Sequence, residues 1–307
     1  MESTPYPRNS PMKIGLIGLG NIGVHFGTRL LAAGHELLVH DRSAGAQERL
    51  VAKGAQPASS ARELASQVEV VLLCLPLPRI VADVAAEVAQ GDRVRIVVDL
   101  STTGPSVTKE VEALLKSKNI ALVGAPVSGG TANAEKGALA VMPSGPSYAY
   151  EEVEPLLRVI GNKIFYLGAD PSLGQTLKII NNTLYATSMV ASLEALVYGV
   201  KAGLDARTML DVINVSSGRS FATLERIPQC VLDRSFPVRF TTELLHKDIK
   251  MCIDEAEKLG APMVVSPAAR QFLAFAITQG DGDKDNVFPI RHFEQWAGVQ
   301  FGNKPEA

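Results

Sequence analysis

The sequence predicts an α/β fold: a doubly wound parallel sheet in the first half, then an all-helical domain. Three observations predict it. Apolar strand-like runs alternate with helical patterns from Met12 to about Gly168, the order that parallel pairing with crossover helices requires. A glycine-rich turn, Gly18-Leu19-Gly20-Asn21-Ile22-Gly23, joins the first strand to the first helix. Strand signals nearly vanish beyond Pro171.

Taken in order, the expected strands are Lys13–Ile17, Glu36–His40, Glu69–Cys74, Arg95–Asp99, Ile120–Val123, Ala138–Met142 and Ile164–Leu167. Runs such as Val70-Val71-Leu72-Leu73 suit strands buried on both faces. Helices are expected between them at Ile22–Ala33, Ala44–Lys53, Ala61–Ala65, Arg79–Ala89, Pro105–Ser117 and Tyr148–Ile160. Asp170 and Pro171 can cap and open the next helix. That helix, Ser172 to Lys201, is apolar nearly all round, which predicts burial, partly against a second subunit. Helical stretches follow at Ala206–Val215, Phe221–Arg226, Leu244–Lys258 and Ala268–Gln279. The expected domains are residues 12–170 and 171–300, and the expected assembly is a homodimer or homotetramer. Met1 to Pro11 read as a loose arm.

The bulk numbers narrow the function. The chain has 307 residues, 46% of them hydrophobic, and a net charge of -2. That composition supports a packed core and gives no general reason to bind nucleic acid or an anionic membrane. No uninterrupted apolar run is long enough to suggest a membrane span. Cys74, Cys230 and Cys252 are far apart and suit unpaired thiols in a reducing cytoplasm. Scattered histidines show no metal-ligand spacing, so no metal is expected.

The glycine turn predicts a dinucleotide site. Gly18 permits the tight turn, Gly20 lets the backbone approach a pyrophosphate, and Gly23 brings helix and strand close. Leu19, Asn21 and Ile22 complete a turn whose N–H groups and helix dipole face the phosphates. Asp41 ends the second strand about 20 residues on, where an acid accepts from ribose hydroxyls. Leu75 and Pro76, and Ser101 and Thr102, follow other strands and would line the same edge, beside the ribose or nicotinamide. The turn Gly124-Ala125-Pro126-Val127-Ser128-Gly129-Gly130 also follows a strand. Ser128, Gly129 and Gly130 offer N–H groups suited to a carboxylate; a plain surface loop is the alternative.

Lys178 and Asn182 share one face of the long helix by their i, i+4 spacing. A helix lysine ordinarily faces water. This one is flanked by Leu177, Ile179 and Ile180, and burial of an amine lowers its pKa, so that it can exchange protons near neutrality. Asn182 could hold the reacting oxygen. His246-Lys247-Asp248 lies in a helical pattern and is expected to face water.

Together these stretches resemble the β-hydroxyacid dehydrogenase family over about Met12 to Ala297. The family opens GLGxMG, matched at Gly18 to Gly23. Its substrate motif, DAPVSGG then AxxGxL, resembles Gly124 to Gly130 followed by Ala134, Gly137 and Leu139. Its GxGxxxKxxNN resembles Ser172 to Asn182, and its late F…KDL pattern resembles Phe240, Lys247, Asp248 and Ile249. The resemblance implies a Rossmann-type first domain and Lys178 as catalytic acid/base. It implies Ser128, Gly129 and Gly130 on the substrate carboxylate, with Asn182 assisting, and Leu75, Pro76, Thr102 and Lys247 near the cofactor. Arg219 falls where such enzymes vary their substrate contacts. It is either a second grip on an anionic substrate or solvated.

The departures are Gly124 for the usual aspartate, Ser172 for glycine, and Met142-Pro143-Ser144-Gly145 for methionine followed by paired glycines. The implied activity is NAD(P)-dependent hydride transfer to or from a short 3-hydroxy acid, 3-hydroxyisobutyrate-like or tartronate semialdehyde/glycerate-like. Asp41 favours NAD; NADP is the alternative, with Arg42 free to bind its extra phosphate or to stack on adenine. Competing readings are an imine reductase on the same scaffold, against which Lys178 counts, and a non-catalytic nucleotide-binding module.

Overall fold

The computed structural model describes residues 11–302, so the expected arm lies outside the described residues except for Pro11. Two compact units divide between Lys178 and Ile179.

The first unit is built on β1 (Lys13–Ile17), α1 (Gly23–Ala32), β2 (Glu36–His40), α2 (Ala44–Val51), β3 (Gln56–Pro57), α3 (Ala61–Ala65), β4 (Val70–Leu73), α4 (Pro78–Val88), β5 (Ile96–Asp99), α5 (Pro105–Lys116) and β6 (Ala121–Gly124). Its strands form a six-stranded sheet in the order β3-β2-β1-β4-β5-β6, parallel at every pairing. The order reverses between β1 and β4, a switch point of the doubly wound kind. Successive side chains alternate between two cores. Ile14, Leu16, Val70, Leu72, Ile96 and Val98 face one core. Ile17, Val71, Leu73 and Val97 face the other, with α3, α4 and α5 residues such as Leu64, Val81 and Leu115. The Rossmann-type expectation is thereby met.

The sheet does not take in every expected strand. After β6 come β7 (Val127–Ser128), α6 (Gly130–Lys136), β8 (Leu139–Val141), α7 (Ser147–Ile160) and β9 (Gly161–Ile164). The last strands form a separate three-stranded sheet, β7-β8-β9, antiparallel at β7–β8 and parallel at β8–β9. The strand expected at Ile164–Leu167 is displaced toward the N-terminus, and Phe165 beyond it is 54% exposed.

Helix α8 (Ser172–Lys201) has the bounds the sequence predicts. Among the described residues it is the one helix long and apolar enough to cross a membrane by length and composition, which qualifies the expectation of no span. Its Ile179 is buried, and Ala186, Met189, Leu193 and Leu196 pack into the core of the second unit. It is not buried all round: Leu173, Leu177, Ile180, Leu184 and Tyr198 are exposed. The second unit continues with α9 (Ala206–Asn214), a π-helical turn (Ala222–Arg226), α10 (Ile227–Cys230), α11 (Thr242–Lys258), α12 (Ser266–Ala276), a second π-helical turn (Ile277–Asp281) and α13 (Ile290–Ala297). Leu245, Ile249, Leu273 and Ile290 join α8 in its core.

Candidate active site

The glycine turn is locked by geometry. Gly18 has φ +94°, and a Cβ there would lie 2.2 Å from the Cys74 carbonyl oxygen, so only glycine fits. Its N–H donates to the His40 carbonyl at 3.0 Å. The Leu19 N–H donates to Asp41 Oδ2 at 2.7 Å, and the Ser43 N–H donates to Asp41 Oδ1 at 2.8 Å. Asp41 therefore secures the turn itself, a role the sequence reading did not assign, and each oxygen keeps a further lone pair for a ligand hydroxyl.

Among the described residues, none accepts from the N–H groups of Gly20, Asn21 or Ile22. A Cβ on Gly20 would meet nothing within 4 Å. Free donors and open space at the start of α1 fit a pyrophosphate. Arg42 is exposed nearby in sequence.

The carboxyl ends of β4 and β5 are tied together. The Leu75 N–H donates to Ser101 Oγ at 2.9 Å; Pro76 is exposed and Thr102 half-buried. Burial pushes the Cys74 thiol up to about 12, and the Asp99 carboxylate adds to the effect. Asp99 accepts from the Ser101 N–H at 3.0 Å and from Thr103 Oγ1 at 2.5 Å.

Gln175, which the sequence reading passed over, is fully buried in α8. Its Nε2 donates to the Ser101 carbonyl at 2.9 Å, and its Oε1 accepts from the Thr103 N–H at 2.9 Å. The helix turn that carries Lys178 is thereby pinned to the loop that carries Thr102. A long polar side chain three positions before Lys178, in the first turns of a largely apolar helix, was the available signal.

Gly124 makes a second attachment of α8. A Cβ at 124 would sit 2.2 Å from the Pro171 carbonyl oxygen, so an aspartate has no room. Ser144 Oγ donates to that same carbonyl at 3.0 Å and accepts from the Gly174 N–H at 2.9 Å. The departures at 124 and 144 form one contact. Asp170 Oδ1 accepts from the Ser172 N–H at 2.8 Å and from Ser172 Oγ. Burial raises the Asp170 pKa, but these bonds outweigh it and hold the carboxyl below its ordinary value.

Lys178 is buried, at 9% exposure. Its flanking Leu177 and Ile180, however, are exposed; apolar neighbours in sequence were the wrong reason for a right expectation, because they lie on other faces of the helix. Asn182, one turn on, is also buried. Its Nδ2 donates to Asp248 Oδ2 at 2.6 Å, and Lys247 Nζ lies 2.7 Å from Asp248 Oδ1. The expectation that His246, Lys247 and Asp248 face water fails for Asp248, which is 1% exposed; its helix turns that position inward between Leu245 and Ile249. Ser128 ends β7, and Gly129 and Gly130 are exposed where α6 begins. Arg219 is exposed in the segment after α9.

Residues 13–168 match the NAD binding domain of 6-phosphogluconate dehydrogenase. Residues 172–293 match the NAD-binding domain of NADP-dependent 3-hydroxyisobutyrate dehydrogenase. A 2-(hydroxymethyl)glutarate dehydrogenase of Eubacterium barkeri is 32% identical over 94% of this chain and 97% of its own length. This chain belongs to the β-hydroxyacid dehydrogenase family. An NAD-dependent L-serine dehydrogenase of Pseudomonas aeruginosa is likewise 32% identical, over 89% of this chain and 95% of its own. The solved structure of Mycobacterium tuberculosis 3-hydroxyisobutyrate dehydrogenase with L-serine has a TM-score of 0.85 at 29% identity, covering 92% of this chain and 99% of that one. Membership bears out the expected class, an NAD(P)-dependent hydroxyacid dehydrogenase, with NAD or NADP as cofactor.

Proposed function

We propose that this dehydrogenase oxidises a short 3-hydroxy acid, 3-hydroxyisobutyrate-like or glycerate-like, or reduces the matching semialdehyde, with Lys178 as general acid/base. The observation that carries the reading is a buried amine at 178, one helical turn from a buried amide at 182. Gly18 to Gly23 and Asp41 would hold the dinucleotide, with Arg42, Leu75, Pro76, Thr102 and Lys247 alongside. When bound, the nicotinamide supplies the acceptor of hydride in oxidation and the donor in reduction. Neutral Lys178 takes the proton of the substrate hydroxyl as its carbon gives up hydride; in the reverse direction the ammonium returns it. Acid/base help of this kind contributes about 10²–10⁴-fold. Ser128, Gly129 and Gly130 bind the substrate carboxylate, Asn182 orients the reacting end, and Arg219 is a second contact for an anionic substrate.

The domain division we favour is 12–170 for the dinucleotide and 171–300 for substrate and self-association. The exposed stripe Leu173, Leu177, Ile180, Leu184 and Tyr198 on α8 suits a second copy of the chain, giving a homodimer or homotetramer. Free Cys74, Cys230 and Cys252 suit a reducing compartment, and we place the enzyme in the cytoplasm.

A panel of small hydroxy acids followed by nicotinamide absorbance identifies the substrate. Lys178→Ala is expected to lose at least a hundredfold in kcat and still bind cofactor. Retention of wild-type turnover overturns the reading.

A further inference from the structure

We propose that Asp248 is a positioning residue: it turns the Asn182 amide so that its carbonyl oxygen, and not its NH2, faces the helix turn of Lys178. The proposal rests on the reading of Lys178 and Asn182 as the residues that meet substrate.

Asp248 lies in α11 and is 1% exposed. Its Oδ2 is 2.6 Å from Asn182 Nδ2, and its Oδ1 is 2.7 Å from Lys247 Nζ. An ionised carboxylate can only accept. The Asn182 atom that faces it is therefore the donor, and the other carboxylate oxygen lies against the Lys247 amine. With Nδ2 so committed, Oδ1 points the other way. It accepts from Asn181 Nδ2 at 3.1 Å and keeps a second lone pair.

Helical side chains lean toward the N-terminus of their helix, and in the proposed arrangement this oxygen accordingly lies over the turn that carries Lys178. An amine placed there finds an acceptor for one N–H and stays aimed at the substrate hydroxyl. A flipped Asn182 would oppose an NH2 to an ammonium, donor against donor. Nothing in the Asn182 side chain itself prevents the flip; the acceptor-only partner does.

The test is a double-mutant cycle on the full-length enzyme: Asp248→Asn, Asn182→Ala and the pair. The readouts are kcat and KM for the hydroxy acid turned over fastest, cofactor Kd by fluorescence titration, and thermal unfolding. Asp248→Asn keeps the volume and removes the acceptor-only character. Alone it is expected to lower kcat at least tenfold with cofactor Kd changed less than threefold. In the Asn182→Ala background it is expected to cost less than twofold. Asn182→Leu replaces Asn182→Ala should the latter not fold.

A readout without turnover is the side-chain amide resonance of Asn182 in 15N-asparagine-labelled enzyme, identified by its loss in Asn182→Ala and expected to shift in Asp248→Asn. An unchanged kcat in Asp248→Asn, an equal loss in both backgrounds, or an unmoved resonance overturns the proposal. Wild-type turnover in Asn182→Ala overturns it together with the assigned role of Asn182, whereas an additive cycle overturns the proposal alone.

Discussion

Gln175 donates from Nε2 to the Ser101 carbonyl at 2.9 Å, while its Oε1 accepts from the N–H groups of Thr103 at 2.9 Å and Gly104 at 3.3 Å. One fully buried amide thus ties the 101–104 loop to α8. Gln175→Leu strands those backbone groups away from water, at about 1–3 kcal/mol for an unsatisfied group. The expected outcome is a loss of that size in urea unfolding, with a several-fold rise in KM for the cofactor because Thr102 sits in the loosened loop. Gln175→Glu is expected to be worse, since it sets a second carboxylate 3.4 Å from Asp99 Oδ2. Unfolding curves that superimpose on wild type contradict the assignment.

Gly124 has room for hydrogen only, with the Pro171 carbonyl oxygen 2.2 Å from any Cβ placed there. Gly124→Ala is expected to cost about 1–3 kcal/mol by overpacking. Gly124→Asp, the residue common in the family, is expected to cost more. Ser144→Ala removes an acceptor for the Gly174 N–H and is expected to cost about 1–3 kcal/mol. Thermal unfolding of the single variants checks the order; a neutral Gly124→Asp shows that α8 can shift away from β6.

The second unit is sensitive at Asp285. Its Oδ1 is 2.6 Å from Arg226 Nη2, with side-chain exposures of 0% and 7%, and its Oδ2 accepts from the Arg239 N–H at 2.8 Å. Burial pushes the Arg226 pKa down, but the charge of Asp285 together with Tyr185 and Cys230 outweighs it and holds the guanidinium above its ordinary value. Asp285→Ala leaves that charge buried and uncompensated, an expected loss of about 3–5 kcal/mol. Asp285→Ala with Arg226→Met is expected to recover part of it. Denaturant midpoints of the single and double variants decide.

Much of this was legible because its signals are local. The glycine turn, the six-stranded sheet's longer strands and α8 each announce themselves within a window of their own length. The small sheet did not, since β9 reads Gly-Asn-Lys-Ile with Asn162 and Lys163 exposed, while the more apolar Ile164–Leu167 run beside it drew the expectation. Asp248 and Gln175 were illegible for another reason. Each is a polar side chain whose burial is decided by a partner remote in sequence, Asn182 or Ser101, and charge or amide alone argues for water. The exposed apolar stripe of α8 was hidden too, since composition shows that a helix is apolar all round but not which face its own chain covers.

The Cys74 thiol, pushed up to about 12 by burial and then by Asp99, stays protonated at pH 8. A raised pKa on an acid favours its neutral form, so about one molecule in 10⁴ is thiolate there. Alkylation of Cys74 by iodoacetamide is expected to be far slower in native enzyme than in urea, and to quicken about tenfold per pH unit up to the onset of alkaline unfolding. Peptide mass spectrometry of the Cys74 peptide reads this directly; equal rates in native and unfolded protein refute it.

Cofactor choice is expected to turn on Asp41, which already spends one lone pair of each oxygen on the turn, at Leu19 and Ser43. Its negative charge opposes a phosphate on the adenosine ribose and suits free hydroxyls. Asp41→Asn removes that repulsion and leaves Arg42 to attract the phosphate. It also presents an NH2 to one of two backbone donors, so the turn loses a charged hydrogen bond, at about 1.5–3 kcal/mol. The expected result is a drop in kcat/KM for NAD of at least tenfold and a rise in the NADP-to-NAD ratio of at least the same size. Arg42→Ala added to Asp41→Asn should reverse the gain for NADP while leaving NAD nearly where Asp41→Asn put it. An unchanged ratio in Asp41→Asn means that Asp41 serves the turn alone and that discrimination lies elsewhere.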